Sequence, residues 1–220
     1  MISVAIDGPA GAGKSTISKQ LAKKLEFIYV DTGALYRATG LKFLRQGIDT
    51  KLECDIPALL DITKIDIKFI NGEQRVFLDE EDVSELIRTP EASMMASAVS
   101  AKPPVRAFLL EMQRKLAREN NVIMDGRDIG TVVLPNAEVK IFLTASVETR
   151  ANRRFIELKE RGSSATYEEV LDDMKVRDYN DSHREIAPLK PAQDSIIVDT
   201  SALSFEESVE TLYNIIKEKM

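Results

Sequence analysis

Gly8-Pro9-Ala10-Gly11-Ala12-Gly13-Lys14-Ser15 fits the pattern G-x-x-x-x-G-K-[ST], the most specific chemical signal in the chain. Glycines at this spacing let the backbone curl until successive N–H groups point inward, and the following helix aims its positive end at the same place. Such a turn cradles phosphate. Lys14 adds a point charge between the outer phosphates, and Ser15 offers a hydroxyl to nucleotide-bound magnesium. The turn follows an apolar strand and opens a helical pattern, as the motif requires, which sets it apart from a merely glycine-rich turn.

The cradle implies a nucleoside triphosphate but leaves its use open between a small kinase, a switch GTPase and a motor or regulatory ATPase. Thr63-Lys64-Ile65-Asp66 nominally fits the guanine-binding [NT]-K-x-D, yet it opens a hairpin rather than following a core strand, and the chain has no D-x-x-G. Motor ATPases are generally larger or act as rings. A kinase fits best.

A small-molecule kinase needs a second anion site facing the cradle, and arginine suits it because its rigid fork matches phosphate oxygens. Ten of the 14 arginines lie between Arg106 and Arg184. Arg37 follows the strand-end run Asp31-Thr32-Gly33-Ala34-Leu35-Tyr36, and Arg127 follows Val122-Ile123-Met124-Asp125-Gly126. Asp125, closing an apolar strand, is a candidate for the carboxylate behind the magnesium. Arg150, Arg153 and Arg154 share a helix face at i, i+3, i+4 spacing, which also describes an ordinary solvated face. Arg177-Asp178-Tyr179-Asn180-Asp181-Ser182-His183-Arg184 reads equally as a charged helix or as part of a site. Asp31 and Asp199 end strands and could simply cap the helices after them.

The elements that must hold these residues read as α/β. Ser3–Ile6, Phe27–Val30, Val122–Met124, Val139–Leu143 and Ser195–Val198 are short apolar runs, most of them separated by helical patterns such as Pro104–Glu119 and Val147–Glu160. Continuously apolar strands alternating with helices predict a parallel sheet buried on both faces. Ile17, Leu21 and Leu25 mark the helix after the cradle, and Ser204 with Glu207 predicts a capping box on the last one. Ile65, Ile67 and Phe69 alternate with polar residues before Asn71-Gly72, an antiparallel hairpin inserted into the pattern. Residues near 160–185 are polar enough to form a solvated helical arm or a mobile lid.

Composition agrees with a single globular unit. The chain has 220 residues, a formal net charge of −6, 44% hydrophobic and 30% charged residues, ordinary values for one compact unit. The acidic balance argues against a general nucleic-acid or anionic-membrane partner. Cys54 is the only cysteine and His183 the only histidine, so no internal disulfide, cysteine-cluster metal site or His–His motif is available. No apolar run approaches the roughly 20 residues of a membrane span, and the N-terminus lacks a basic leader. The expected location is cytoplasmic, with monomer as the default state.

Taken together, Ile6-Asp7-Gly8-Pro9-Ala10-Gly11-Ala12-Gly13-Lys14, Asp31-Thr32-Gly33-Ala34-Leu35-Tyr36-Arg37, Asp125-Gly126-Arg127-Asp128-Ile129-Gly130-Thr131-Val132-Val133, Arg177-Asp178-Tyr179-Asn180-Asp181 and Arg184-Glu185-Ile186-Ala187-Pro188-Leu189 resemble the bacterial cytidylate kinases, of the P-loop nucleoside monophosphate kinase group. The resemblance spans nearly the whole chain. It implies phosphoryl transfer from Mg-ATP to CMP or dCMP on a P-loop fold. In that fold the core is 1–37, 104–155 and 185–220, the hairpin-bearing monophosphate-binding region is about 38–103, and the helical lid is about 156–184. Carried over position by position, Gly8 to Thr16 bind ATP and Ser97, Arg106 and Asp128 read cytosine. Arg37, Arg127 and Arg184 then hold the monophosphate, Arg177 and Asp181 bind the sugar, and Thr32 lines the CMP site. Lys14, Arg127 and Arg154 serve transfer, with Arg150 a further candidate for the arm over ATP. Some relatives carry glycine at the position of Ser15, so Thr16 is the other candidate for the metal hydroxyl. Rivals are a kinase for uridylate or a metabolite such as shikimate, and a nucleotide-gated binding protein without an acceptor pocket.

Overall fold

The computed structural model describes residues 1–48, 56–160 and 162–220, which leaves Cys54 and Arg161 outside the described residues. In chain order the first half contains β1 (Ser3–Asp7), α1 (Lys14–Leu25), β2 (Ile28–Asp31), α2 (Thr32–Gln46), α3 (Ile56–Asp61), β3 (Ile65–Ile70), β4 (Glu73–Leu78), β5 (Glu81–Asp82) and α4 (Pro90–Ser100). The second contains α5 (Pro103–Glu119), β6 (Val122–Gly126), β7 (Val139–Thr144), α6 (Val147–Glu160), α7 (Tyr167–His183), β8 (Ile196–Asp199) and α8 (Phe205–Lys219). A π-helical turn, Ile129–Val133, follows β6.

The predicted parallel sheet is present, in the order β2-β6-β1-β7-β8, with every neighbouring pair parallel. Its central strand shows why the apolar runs were continuous. Val4 and Ile6 pack with Ile17 and Leu21 of α1 and Val209, Leu212 and Ile216 of α8 on one face. Ala5, between them, turns to the other face with Val30, Met124, Ile129 and Val133. A strand covered on both sides has no polar face to alternate with. The Ser204–Glu207 capping box opens α8 as expected.

The hairpin also forms as read, with β3 and β4 antiparallel around Asn71 and Gly72, both at positive φ, and β5 adding a third strand. A separate core anchors it. Leu35, Phe43, Leu59, Leu78, Val83, Val105 and Leu109 bury one another where α2, α3, α5 and the small sheet meet. The polar stretch near 160–185 is mostly one helix, α7, started by a Thr166–Glu169 capping box and seated through buried Val170 and Met174. That T-x-x-E signal was available in the sequence.

Because all five strands of the main sheet are parallel, their carboxyl ends lie along one edge, where open α/β sheets bind ligands. β1 ends at Asp7, β2 at Asp31 and β8 at Asp199, while Asp125 stands one residue before the end of β6. Register sets Asp31 beside Asp125 and Asp7 beside Gly126. The edge is therefore lined with carboxylates before any helix contributes a charge.

Candidate active site

The Gly8–Ser15 turn crosses the end of β1. Gly8 passes so close to β7 that a Cβ there would lie 1.9 Å from the Leu143 carbonyl oxygen, so no other residue fits. Helices α2, α4, α7 and α8 are each capped by a side chain, from Asp31, Thr89, Thr166 and Ser204. Helix α1 is not. Its N-cap is Gly13 with φ 87°, no side chain bonds its first turn, and that turn carries no acidic residue. Its N–H groups and positive end are thus left for an external anion.

Lys14 lies buried under this turn, with Nζ donating to the Pro9 carbonyl at 2.7 Å. Burial and the nearby Arg127 and Arg177 guanidiniums hold its ammonium well below the ordinary lysine range, although Asp125 and Asp7 pull the other way. Ser15 Oγ donates to Asp125 Oδ2 at 2.9 Å, and Tyr29 Oη donates to Asp125 Oδ1 at 2.9 Å. Burial and the adjacent Asp31 raise the Asp125 carboxyl to about 6, despite Lys14 and these two bonds. A hydroxyl backed by a buried carboxylate is a hard-oxygen set of the kind magnesium accepts. Among the described residues no group of three or more His, Cys, Asp or Glu side chains is arranged as a self-contained metal site.

Facing the cradle, residues from α2, the β6 end and α7 converge. Arg37 Nη2 pairs with Asp31 at 2.8 Å, and Asp31 also caps α2 through the Ala34 N–H. Arg127 Nε donates to Asp181 at 2.8 Å. Arg177 is half-buried, its Nε is shut off from solvent with no hydrogen-bond partner, and desolvation with the like charges of Arg127, Arg37 and Arg154 lowers it to about 10 against the pull of Asp181. Burial raises the Asp181 carboxyl, but Arg127, Arg177 and Arg184 outweigh it and hold the group below its ordinary value. Buried cations with too little counter-charge are what a site for a multiply charged anion requires.

A different chemistry lies next to this cluster. Asp128 is buried and accepts from Arg106 on one oxygen and from Arg184, at 3.4 Å, on the other. Arg106 also donates to the Ser100 carbonyl at 3.2 Å and lies 5.9 Å from the Tyr36 ring centroid. Ser97 is half-buried one turn earlier on α4, its carbonyl accepting from the Ser100 hydroxyl at 2.8 Å. Thr32 Oγ1 donates to the Asp125 carbonyl at 2.8 Å, tying the α2 start to the β6 end. The pocket thus presents guanidinium donors beside a carboxylate acceptor.

One capping expectation is corrected and one helix face gains detail. Arg150, Arg153 and Arg154 stand at i, i+3, i+4 on α6 as read, but each takes a different partner. Arg150 is buried and reaches the Ala145 and Ala10 carbonyls and Asp178, Arg153 bonds Thr200, and Arg154 pairs with Glu157 at 2.8 Å. Long side chains one turn apart bend toward whatever flanks them, and here Arg150 hydrogen-bonds the cradle backbone at Ala10 while the Arg153 guanidinium, held by Thr200, passes beside Gly13. Asp199 does not cap α8. Its carboxylate takes the Ser201 N–H and hydroxyl, and Ser204 caps instead.

Several side chains that shape the site escaped the sequence reading. Gln74 on β4 accepts from the Asp31 N–H at 2.8 Å and donates to the Asp31 carbonyl at 3.2 Å, so the small sheet grips the residue that holds Arg37. Asp7 accepts from the N–H groups of Ile129 and Gly130, both at 2.7 Å. It closes an apolar strand as Asp125 does, and that shared position was the available signal. Tyr29 and Gln74 offered none, because only the sheet register and the docked hairpin bring them in.

The model of the cytidylate kinase family matches residues 4–218. A cytidylate kinase of Caldicellulosiruptor bescii is 54% identical over 223 residues, covering 100% of this chain and 99% of the relative. One from Caldicellulosiruptor saccharolyticus is 55% identical over 214 residues, covering 97% of this chain and 95% of the relative. A shikimate kinase from Bacteroides thetaiotaomicron superposes with a TM-score of 0.50 at 13% identity, covering 98% of each chain, which shows a shared fold.

Proposed function

The chain belongs to the cytidylate kinase family and is a kinase that transfers the γ-phosphoryl group of ATP to CMP or dCMP, and on that premise we propose how its side chains divide the task. The backbone from Gly8 to Thr16 holds the ATP phosphates, with Lys14 between the outer ones. Ser15 or Thr16 supplies the hydroxyl to magnesium, with Asp125 behind it; the bound ion neutralises phosphate charge and helps align the transfer. Arg37 and Arg127 face that end and receive the monophosphate, while Arg177 and Asp181 serve the sugar, with the Arg177 charge adding to the positive field there. Arg154 joins the same positive field and serves the transfer. Ser97, Arg106 and Asp128 read the base, with Thr32 lining the pocket.

The observation that carries this reading is the pairing of two unlike acceptor-side features. One is the cluster of half-buried guanidiniums around Arg177, whose like charges outweigh Asp181 there; the other is the buried Arg106–Asp128 donor and acceptor set beside it. Cytosine offers an N4 amine with N3 and O2 acceptors, which match a carboxylate and a guanidinium; uracil offers an acceptor where the amine would be. Mispairing would leave buried polar groups unsatisfied, which discriminates strongly. Arg184 bonds Asp128, so its geometry supports a place on the base side of the CMP site, whereas the resemblance gives it to the monophosphate.

Transfer needs no base. The attacking group is already an anionic phosphate oxygen, and the work left to the protein is alignment and charge neutralisation. Residues about 38–103 form the monophosphate-binding region and about 156–184 the lid, whose closure excludes water and limits ATP hydrolysis. Among the described residues no helix is long and apolar enough to cross a membrane; a cytoplasmic monomer is the reading we adopt.

A coupled assay of ADP release with CMP, dCMP, UMP, AMP and shikimate tests the assignment. CMP and dCMP should be phosphorylated best, and magnesium chelation should stop the reaction until the ion is restored. Equal use of UMP, or turnover of shikimate, would overturn the base-reading set.

A further inference from the structure

Asp128 occupies an awkward position for a residue that must read a base. It is the N-cap of the π-helical turn Ile129–Val133, and its carbonyl already accepts from the Val132 and Val133 N–H groups at 2.9 and 3.2 Å. An aspartate at an N-cap ordinarily folds its carboxylate back onto the first free N–H groups of its own turn. Here the Asp128 side chain makes no capping bond and points instead at Arg106 and Arg184.

The N–H groups it leaves are taken by another strand. Asp7, buried at the end of β1, accepts Ile129 N–H on one carboxylate oxygen and Gly130 N–H on the other, each at 2.7 Å. At the far end of the same turn, Arg114 of α5 donates to the Val133 and Val132 carbonyls at 3.1 and 3.0 Å. The turn is bracketed by side chains from outside it, and its own cap residue is released.

We infer that Asp7 is a positioning residue for nucleobase selection: by capping the Ile129–Val133 turn from β1, it frees the Asp128 carboxylate for the base of the acceptor nucleotide. The inference rests on Asp128 being the base reader, and it extends the role of the Ile6-Asp7-Gly8 segment beyond the ATP cradle that Gly8 begins. Asp7 does not touch the acceptor. It acts by removing the competing hydrogen bonds, and Arg114 assists from the other end.

The test compares Asp7→Asn, Arg114→Met and Asp128→Asn by kcat/KM for CMP and for UMP, by KM for ATP, and by melting temperature. Asparagine has one side-chain acceptor and sets an amide N–H against the second backbone donor, so an N–H of the turn becomes free to draw in Asp128. The CMP-to-UMP ratio should fall about tenfold in Asp7→Asn, the size expected from one unpaired buried group. A smaller fall in the same direction is expected in Arg114→Met, with KM for ATP moving far less in both. If Asp128→Asn lowers the ratio while folded Asp7→Asn leaves it unchanged, the positioning role is overturned and the base-reading assignment stands. An unchanged ratio in Asp128→Asn overturns both. Should Asp7→Asn fail to fold, Arg114→Met decides, because its half-buried site tolerates the change; an unchanged ratio there overturns the role.

Discussion

The Gly8–Ser15 turn and the pocket around Asp128 open on the same sheet edge, yet they are assembled in different ways. The first is one contiguous stretch, a curled backbone with an uncapped helix behind it. The second draws Arg37 from α2, Ser97 from α4, Arg106 from α5, Arg127 and Asp128 from the β6 end, and Asp181 and Arg184 from α7 and its C-cap. Its side chains hold one another in ion pairs, Arg37 with Asp31, Arg127 with Asp181, and Arg106 and Arg184 with Asp128. A phosphate chain can be gripped by any backbone that curls correctly, because N–H groups are the same in every residue. A base must be distinguished from near-identical bases, and that takes particular side chains held at fixed positions by distant elements.

Arg127 stands where the two halves meet, within the field of Lys14 and paired to Asp181. Arg127→Ala should therefore cut kcat by about a thousandfold, the scale of a transition-state arginine, measured in single turnovers with both nucleotides saturating. If only KM for CMP changed, Arg127 would belong to the acceptor pocket alone and the division between the halves would be sharper than drawn.

Asp128→Asn should lower kcat/KM for CMP by about a hundredfold while easing discrimination against UMP. An unchanged ratio would remove Asp128 as the base reader. Arg37→Ala should raise KM for CMP by about tenfold, one lost charge-assisted contact, and leave KM for ATP nearly constant. Equal losses for the two nucleotides would take Arg37 out of the acceptor site.

The smallest effect tests whether the docked hairpin matters to that pocket. Gln74→Ala removes both of its bonds to the Asp31 backbone and should raise KM for CMP about threefold, less than Arg37→Ala, with no change in KM for ATP. A larger effect than that of Arg37→Ala would mean that the three-stranded sheet, rather than the arginine, organises phosphate binding.

What could be read in advance follows the same division. The cradle, the parallel sheet, the Asn71-Gly72 hairpin and the α8 capping box depend on neighbours a few residues apart, so local spacing and periodicity reveal them. The α7 capping box, Thr166 with Glu169, rests on the same kind of local spacing. Arg127 and Asp125 stood out because they end an apolar strand. Ser97, Arg106, Arg177 and Asp181 had no such mark in the spacing; their assignment came from family resemblance, and an arginine on a helix looks the same whether it faces water or a buried carboxylate. The separate partners of Arg150, Arg153 and Arg154 were illegible for that reason, since helical periodicity gives a direction from the axis but not the partner that bends each side chain.

By itself the amino-acid order determined that a phosphate-gripping turn lies between a strand and a helix, that the strands must be buried on both faces, and that the chain resembles one kinase family. Tertiary structure decided which charges meet. Only the β2-β6-β1 register sets Asp31 beside Asp125 and carries Asp7 to the turn after Asp128, and only the packing of α7 over the cradle leaves the Arg177 Nε buried without a hydrogen bond. Local spacing acts through covalent neighbours and is written in one dimension, whereas charge and desolvation act through space between residues as far apart as Asp7 and Ile129, 122 positions along the chain.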